Sequence, residues 1–265
     1  MLTIYFFAAI TILMALVLFF KAIDTAYANV FQKPLYVHFY LAPKKLSAEQ
    51  LRILEQEFVF YQRLSDKNKC YFEHRIAEFI NKHEFIGREG FVVTNQVKVL
   101  ISATSCMLTF GMRYYFYNSL DRIIIYPKAY YSKVSNEFHK GEFNPMMRAI
   151  VFSWEDFFNG FNITNDNLNL GIHEFGHALH LQGLKNGDVS ASLFADRYNE
   201  IKKEVTYKAN RDKLIDSHYF RIYAYTNQFE FLAVILEHYF ETPLEFKQEF
   251  PQLYNKVSLM LNHKH

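Results

Sequence analysis

The sequence predicts an α+β protein, predominantly α, carried behind an N-terminal transmembrane helix. Three observations lead there. Most of the chain repeats apolar residues at helical spacing between capping residues and proline or glycine stops. Three short runs, Tyr114–Tyr117, Arg122–Tyr126 and Ala149–Phe152, have strand character, enough for one small sheet. Leu2 to Phe20 is uncharged and almost wholly apolar, and at helical rise it extends roughly 28 Å, close to the hydrocarbon thickness of a bilayer.

That first segment admits two readings. An uncleaved single-pass anchor fits its length. A secretory signal peptide is the rival, since Ala26-Tyr27-Ala28 resembles a cleavage site, although no Lys or Arg precedes the apolar run. Lys21, Lys33, Lys44 and Lys45 follow the segment, so the positive-inside tendency puts the rest of the chain in the cytoplasm. Signal cleavage would instead make the protein secreted or periplasmic. From Pro34 to Pro43 the chain reads as extended or turn-like. Ser47-Ala48-Glu49-Gln50 is a capping pattern opening a helix through about Ser65. Further helices are expected near Tyr71–Asn81 and over Thr94–Phe110, followed by the three strands. A helix of about four turns surrounds residues 168–181, with Thr164, Asn165 or Asp166 as cap and Gly183 as stop. Ala191–Lys208 and Asn227–Glu241 are helical in pattern, the last closed by Pro243. The expected organisation is an anchor over residues 1–21, a linker over 22–48 and one domain over 49–265 with a helical N-terminal half.

Composition excludes several classes of function. With 51% hydrophobic and 18% aromatic residues in 265, the chain can bury a large core. Lys and Arg total 29 against 27 acids, so no basic field argues for nucleic acid. Cys70 and Cys106 are the only cysteines, and they lack the spacing of a zinc ribbon or redox site.

The chemistry is carried by His173-Glu174-Phe175-Gly176-His177. Residues four apart lie on one face of a helix, so both imidazoles can reach one Zn²⁺, and Glu174 beside them can take a proton from an attacking water. The pattern fixes three positions and arises by chance in roughly one chain of this size in a hundred. Two histidines are also an incomplete site, because catalytic zinc takes three protein ligands. His180 shares the helical face but lies a turn beyond, and the H-E-x-x-H-x-x-G-x-x-H arrangement is excluded by His180 and Gly183 themselves. Downstream, Glu230 sits between Phe229 and Phe231 in the first turns of an apolar helix, where burial of a carboxylate calls for a partner. A metal is one such partner; the helix dipole or a nearby tyrosine is another.

The likeness to a known family extends well past this helix. Phe85-Ile86-Gly87-Arg88-Glu89-Gly90, Ile123-Ile124-Ile125-Tyr126-Pro127 and Ser153-Trp154-Glu155-Asp156 are part of it. So are Tyr223 with Thr226-Asn227 and Glu230-Phe231-Leu232-Ala233-Val234, then Tyr239-Phe240-Glu241-Thr242-Pro243 and Pro251-Gln252-Leu253-Tyr254. Over about residues 50–255 the chain resembles the zinc-dependent peptidases of the Mlc titration factor A family. The resemblance implies a zincin-like, gluzincin-type domain related to the anthrax lethal factor catalytic domain. It implies one Zn²⁺ per chain, with His173, His177 and Glu230 as ligands, Glu174 as general base and Tyr223 facing the site as an oxyanion donor. Two departures stand out: His180 occupies a position where these peptidases commonly carry Asp, and the N-terminal helix is added to what is often a soluble protein.

The leading expectation is therefore a membrane-anchored zinc metallopeptidase in which zinc-activated water attacks a peptide carbonyl and Glu174 acts as the base. Its partners are a peptide or protein substrate and, through the first helix, the membrane; nucleic acid is not among them. The competing expectation is a regulatory protein that captures a partner such as a transcription factor, its zinc site slow or vestigial.

Overall fold

The computed structural model describes residues 1–132, 136–185 and 188–263. The first helix, α1 (Leu2–Phe31), is longer than the uncharged run that predicts it. From Thr3 to Phe20 its side chains are almost all apolar and exposed, and it is long and apolar enough to cross a membrane by length and composition.

After the irregular stretch to residue 46, Ser47 and Gln50 form the expected reciprocal capping box on α2 (Ala48–Glu57). The helix expected to run to Ser65 breaks at Phe58, whose backbone is extended and whose ring is buried, and resumes as α3 (Val59–Gln62). Ser65 then caps α4 (Asp66–Lys82). Helix α5 (Asn95–Leu108) is the centre of the core. Every residue from Val99 to Leu108 is buried, which is why its sequence there is uncharged on all sides, apolar or small and hydroxyl-bearing, rather than apolar on one stripe.

The strands are short. Among the described residues a four-stranded sheet runs in the order β1 (Glu84–Gly87), β2 (Arg122–Tyr126), β6 (Ala149–Ser153) and β5 (Gly141–Asn144). The first three are parallel, and β5 is antiparallel at the edge. A separate hairpin joins β3 (Tyr130–Ser132) to β4 (Glu137–His139). Sequence reading finds β2 and β6, the two inner strands, because residues buried on both faces read as a β-branched run. It misses β1 and β5, where Glu and Gly dilute the pattern. Tyr114–Tyr117 is not a strand. Tyr115 and Tyr117 are buried, and the alternation reports a loop packed on the core, which needs no partner strand.

The remaining chain is helical: α6 (Trp154–Asn162), α7 (Leu170–Lys185), α8 (Val189–Thr206), α9 (Lys208–Asp216), a 3-10 turn (Ile222–Tyr225), α10 (Gln228–Glu241), α11 (Pro243–Glu249) and α12 (Pro251–Leu261). One contiguous cluster of buried side chains joins α2 through α12 with β2 and β6.

Helix α7 begins later than its sequence suggests. The cap is Asn169 rather than residues 164–166: its Oδ1 accepts from Ile172 N at 3.0 Å. Its Nδ2 donates to Gly160 O at 3.1 Å and to Glu241 at 3.0 Å, fastening the helix start to α6 and α10. Nor is Gly183 a stop, since the helix continues to Lys185. We expect Asn169→Ala to lower Tm by about 2–6 °C, the loss of an N-cap worth about 1–2 kcal/mol, read by thermal melting in detergent.

Candidate metal centre

Two helices build the site. His173, Glu174 and His177 project from α7, and Glu230 projects from the first turn of α10. Asn227 caps α10, accepting from Phe229 N at 2.8 Å and Glu230 N at 3.1 Å, which fixes where the Glu230 side chain leaves the helix. The helices meet at a small-residue contact. A Cβ added to Gly176 would lie 3.4 Å from Ala233 Cα and 3.3 Å from a Leu236 methyl. A larger residue there would push α10, and Glu230 with it, away from the histidines.

The ligand atoms of His173, His177 and Glu230 all lie within 4.8 Å of one another, the sole such grouping among the described residues. Glu230 Oε2 is 3.1 Å from His173 Nε2, and Oε1 is 3.6 Å from His177 Nε2. Oε2 is buried without a hydrogen bond. The opposite ring nitrogen of His173, Nδ1, lies 2.8 Å from Glu237 Oε1. A proton on Nδ1 serves Glu237 and leaves the Nε2 lone pair facing a carboxylate oxygen, a repulsive contact unless a cation or a second proton lies between. Burial opposes protonation of His173, but Glu230 and Glu237 outweigh it and hold the pKa well above the usual histidine range. Two imidazoles and one carboxylate converging on a common point fit a divalent zinc donor set.

His177 differs from His173. Burial, with the charge of His173, pushes its pKa down to about 4, so the ring is neutral and one ring nitrogen has a lone pair available. Among the described residues its Nδ1 has no hydrogen-bond partner. Glu174 is 6% exposed. Burial pushes its carboxyl up to about 7, with His173 and the Phe143 backbone pulling the other way. Edge strand β5 runs directly past it: a Cβ on Gly141 would come within 2.9 Å of Glu174 Oε1. A cleft of about 600 Å³ opens here, lined by Lys140, Gly141, Leu170, His173, Glu174 and Arg221 among others.

Tyr223, in the 3-10 turn, is 47% exposed, with its ring 6.2 Å from that of His173. Burial and the neighbouring Glu230 carboxylate raise its phenol to about 12, so it is a neutral donor. His180 is not brought into the centre. It is buried between Phe229 (4.3 Å) and Tyr198 (4.9 Å), and burial lowers its pKa to about 4.

Sequence reasoning missed Glu237 and Arg221. Glu237 is 1% exposed and lies two turns beyond Glu230 on the same face of α10. Arg221 donates to its Oε2 at 2.5 Å and Oε1 at 3.0 Å, and to Asn167 O at 2.5 Å. The guanidinium compensates the buried carboxylate, which in turn holds the His173 ring with Nε2 toward the centre. A signal was present, since Glu237 is an acid among apolar neighbours just as Glu230 is.

The sequence profile described as glucose-regulated metallo-peptidase M90 matches residues 37–261. An uncharacterized protein of Synechocystis is 27% identical over 254 residues, covering 88% of this chain and 86% of its own length.

Proposed function

Since the chain belongs to the glucose-regulated metallo-peptidase M90 family, that of Mlc titration factor A, we propose that it is a membrane-anchored zinc metallopeptidase. One observation carries this reading: two histidines of α7 and Glu230 of α10 converge on a common point that a divalent cation would fit, with the buried Glu174 carboxylate alongside. His173, His177 and Glu230 would hold one zinc. Bound there, zinc would supply Lewis acidity toward a carbonyl oxygen and lower the pKa of water. Glu174 takes the proton of the attacking water and returns it to the departing amine, for which a pKa near neutrality is suited. Tyr223 donates to the oxyanion of the tetrahedral species. Among the described residues β5 is the edge strand beside Glu174, and an extended peptide would pair along it as an added strand.

The anchor reading draws support from α1 itself. Asp24 is 5% exposed and accepts two hydrogen bonds from Arg113. Cleavage after Ala28 would strip Arg113 of that carboxylate, which favours retention of the segment. The lysines after the span favour a cytoplasmic domain. The intact mass of the membrane-extracted protein should correspond to the uncleaved chain.

Elemental analysis of the purified protein tests the centre. We expect about one zinc per chain, and after dialysis against a mild chelator several-fold less in Glu230→Ala. No zinc in the parent after reconstitution would favour the partner-binding alternative. Tyr223→Phe should lower kcat about a hundredfold with zinc content unchanged; an unchanged kcat would remove Tyr223 from the oxyanion role.

A further inference from the structure

The domain-proximal end of α1 touches the rest of the chain along one stripe with a spacing of four. Phe20 lies 6.2 Å from the ring of Tyr36. Asp24 receives Arg113 Nη1 at 2.6 Å and Nη2 at 2.8 Å. Ala28 is buried, and Gln32 accepts from Arg197 at 2.9 Å. Arg113 is itself immobilised: its Nε donates to Tyr36 O at 3.2 Å, the Tyr36 ring lies 4.0 Å from its guanidinium carbon, and its backbone N donates to Ser190 Oγ at 3.0 Å. Helix α1, the segment after it and the start of α8 are thus fastened at one arginine.

The segment after α1 is inverted relative to a water-facing loop. Two of its polar side chains, His38 and Tyr40, turn inward: the fully buried Arg75 donates to Tyr40 Oη at 2.8 Å and lies 3.1 Å from His38 Nδ1. The alternate residues point outward and are apolar, Phe39 at 70% and Leu41 at 90% exposure. Singly exposed apolar residues are ordinary. These two are held outward by a buried cation, and they adjoin the membrane-length part of α1. Phe20 ends the uncharged run, and the rings of Phe20, Tyr36 and Phe39 follow one another at 6.2 and 6.3 Å. Lys21, the first charge, marks the level at which hydrocarbon gives way to headgroups.

We propose that Phe39 and Leu41 insert into the headgroup region of the leaflet from which α1 emerges, so that a lipid surface covers them and the domain rests on the bilayer in one orientation. This builds on the reading of α1 as a span. The partner is a lipid interface because the patch continues the lipid-facing surface of α1 and combines aromatic and aliphatic side chains with flanking lysines, the composition that interfaces favour.

The test uses the full chain with Cys70→Ser, reconstituted in phosphatidylcholine–phosphatidylglycerol vesicles. An environment-sensitive fluorophore is placed in turn at Phe39→Cys, Leu41→Cys, Leu13→Cys in α1 and Leu244→Cys, an 82% exposed position on α11. Lipids spin-labelled near the headgroup or deep in the chains act as quenchers. Positions 39 and 41 should be blue-shifted and quenched at least twofold more by the shallow label than by the deep one. Leu13 should respond to the deep label and Leu244 to neither. If Leu13 is quenched while 39 and 41 behave as 244, the proposal is overturned and the anchor stands. A blue shift at 39 and 41 without lipid quenching overturns it in favour of a protein partner or a second copy. An unquenched Leu13 removes the span and the proposal together.

Discussion

Glu174→Gln should lower peptide hydrolysis by about 10²–10⁴-fold while leaving zinc content unchanged. The amide matches the carboxylate in shape, so the packing against Gly141 and the edge of β5 is kept, but it cannot accept a proton from water. Glu174 is outside the group of atoms that converge between the histidines, hence the retained metal. Because burial already raises its pKa, the neutral amide removes a desolvation cost, and Tm should be equal to or above that of the parent. Activity, zinc and Tm measured on one preparation separate the outcomes. Retained turnover would refute the role of Glu174 as base, and lost zinc would mean that it holds the metal.

Glu237→Ala is expected to damage both metal binding and folding. Removing the carboxylate frees the His173 ring to rotate or change tautomer, which should weaken zinc about 10–100-fold in a chelator competition. It also leaves Arg221 without its anionic partner. For a fully buried pair that loss is about 3–5 kcal/mol; Arg221 keeps Asn167 O and is partly in water, so about 2–3 kcal/mol is expected. Zinc-free protein would then melt several degrees lower than the parent. The double variant Arg221→Gln/Glu237→Gln should recover part of the stability but not the zinc affinity, since no charge is stranded yet Nδ1 has lost its carboxylate. An unchanged chelator midpoint in Glu237→Ala would remove Glu237 from the metal centre.

Legibility in the sequence followed the locality of the physics. The two histidines and Glu174 are readable because helical spacing alone puts them together. The cost of burying a carboxylate singles out Glu230 but leaves its partner open, the family resemblance implies the ligand role, and the same burial argument applies two turns later to Glu237. Arg221 was beyond reach, since only the folding of its loop over α10 makes it a partner. The helices α4, α5 and α10 carry local caps and periodicity and were found; β1 and β5 are strands only because β2 and β6 lie beside them. His180 shares the face of α7 with the ligands by spacing, yet Phe229 and Tyr198 enclose it, an outcome that depends on α8 and α10.

The division of the centre between α7 and α10 has a consequence during synthesis. His173 and His177 leave the ribosome more than fifty residues ahead of Glu230 and farther still ahead of Glu237, which at ordinary elongation rates is a delay of several seconds. Throughout that interval the nascent chain offers the proposed centre its two imidazoles but neither the Glu230 nor the Glu237 carboxylate. On the proposed reading, proteolytic competence would wait on the last quarter of the polypeptide, and a chain truncated before α10 would lack the third ligand and be inert.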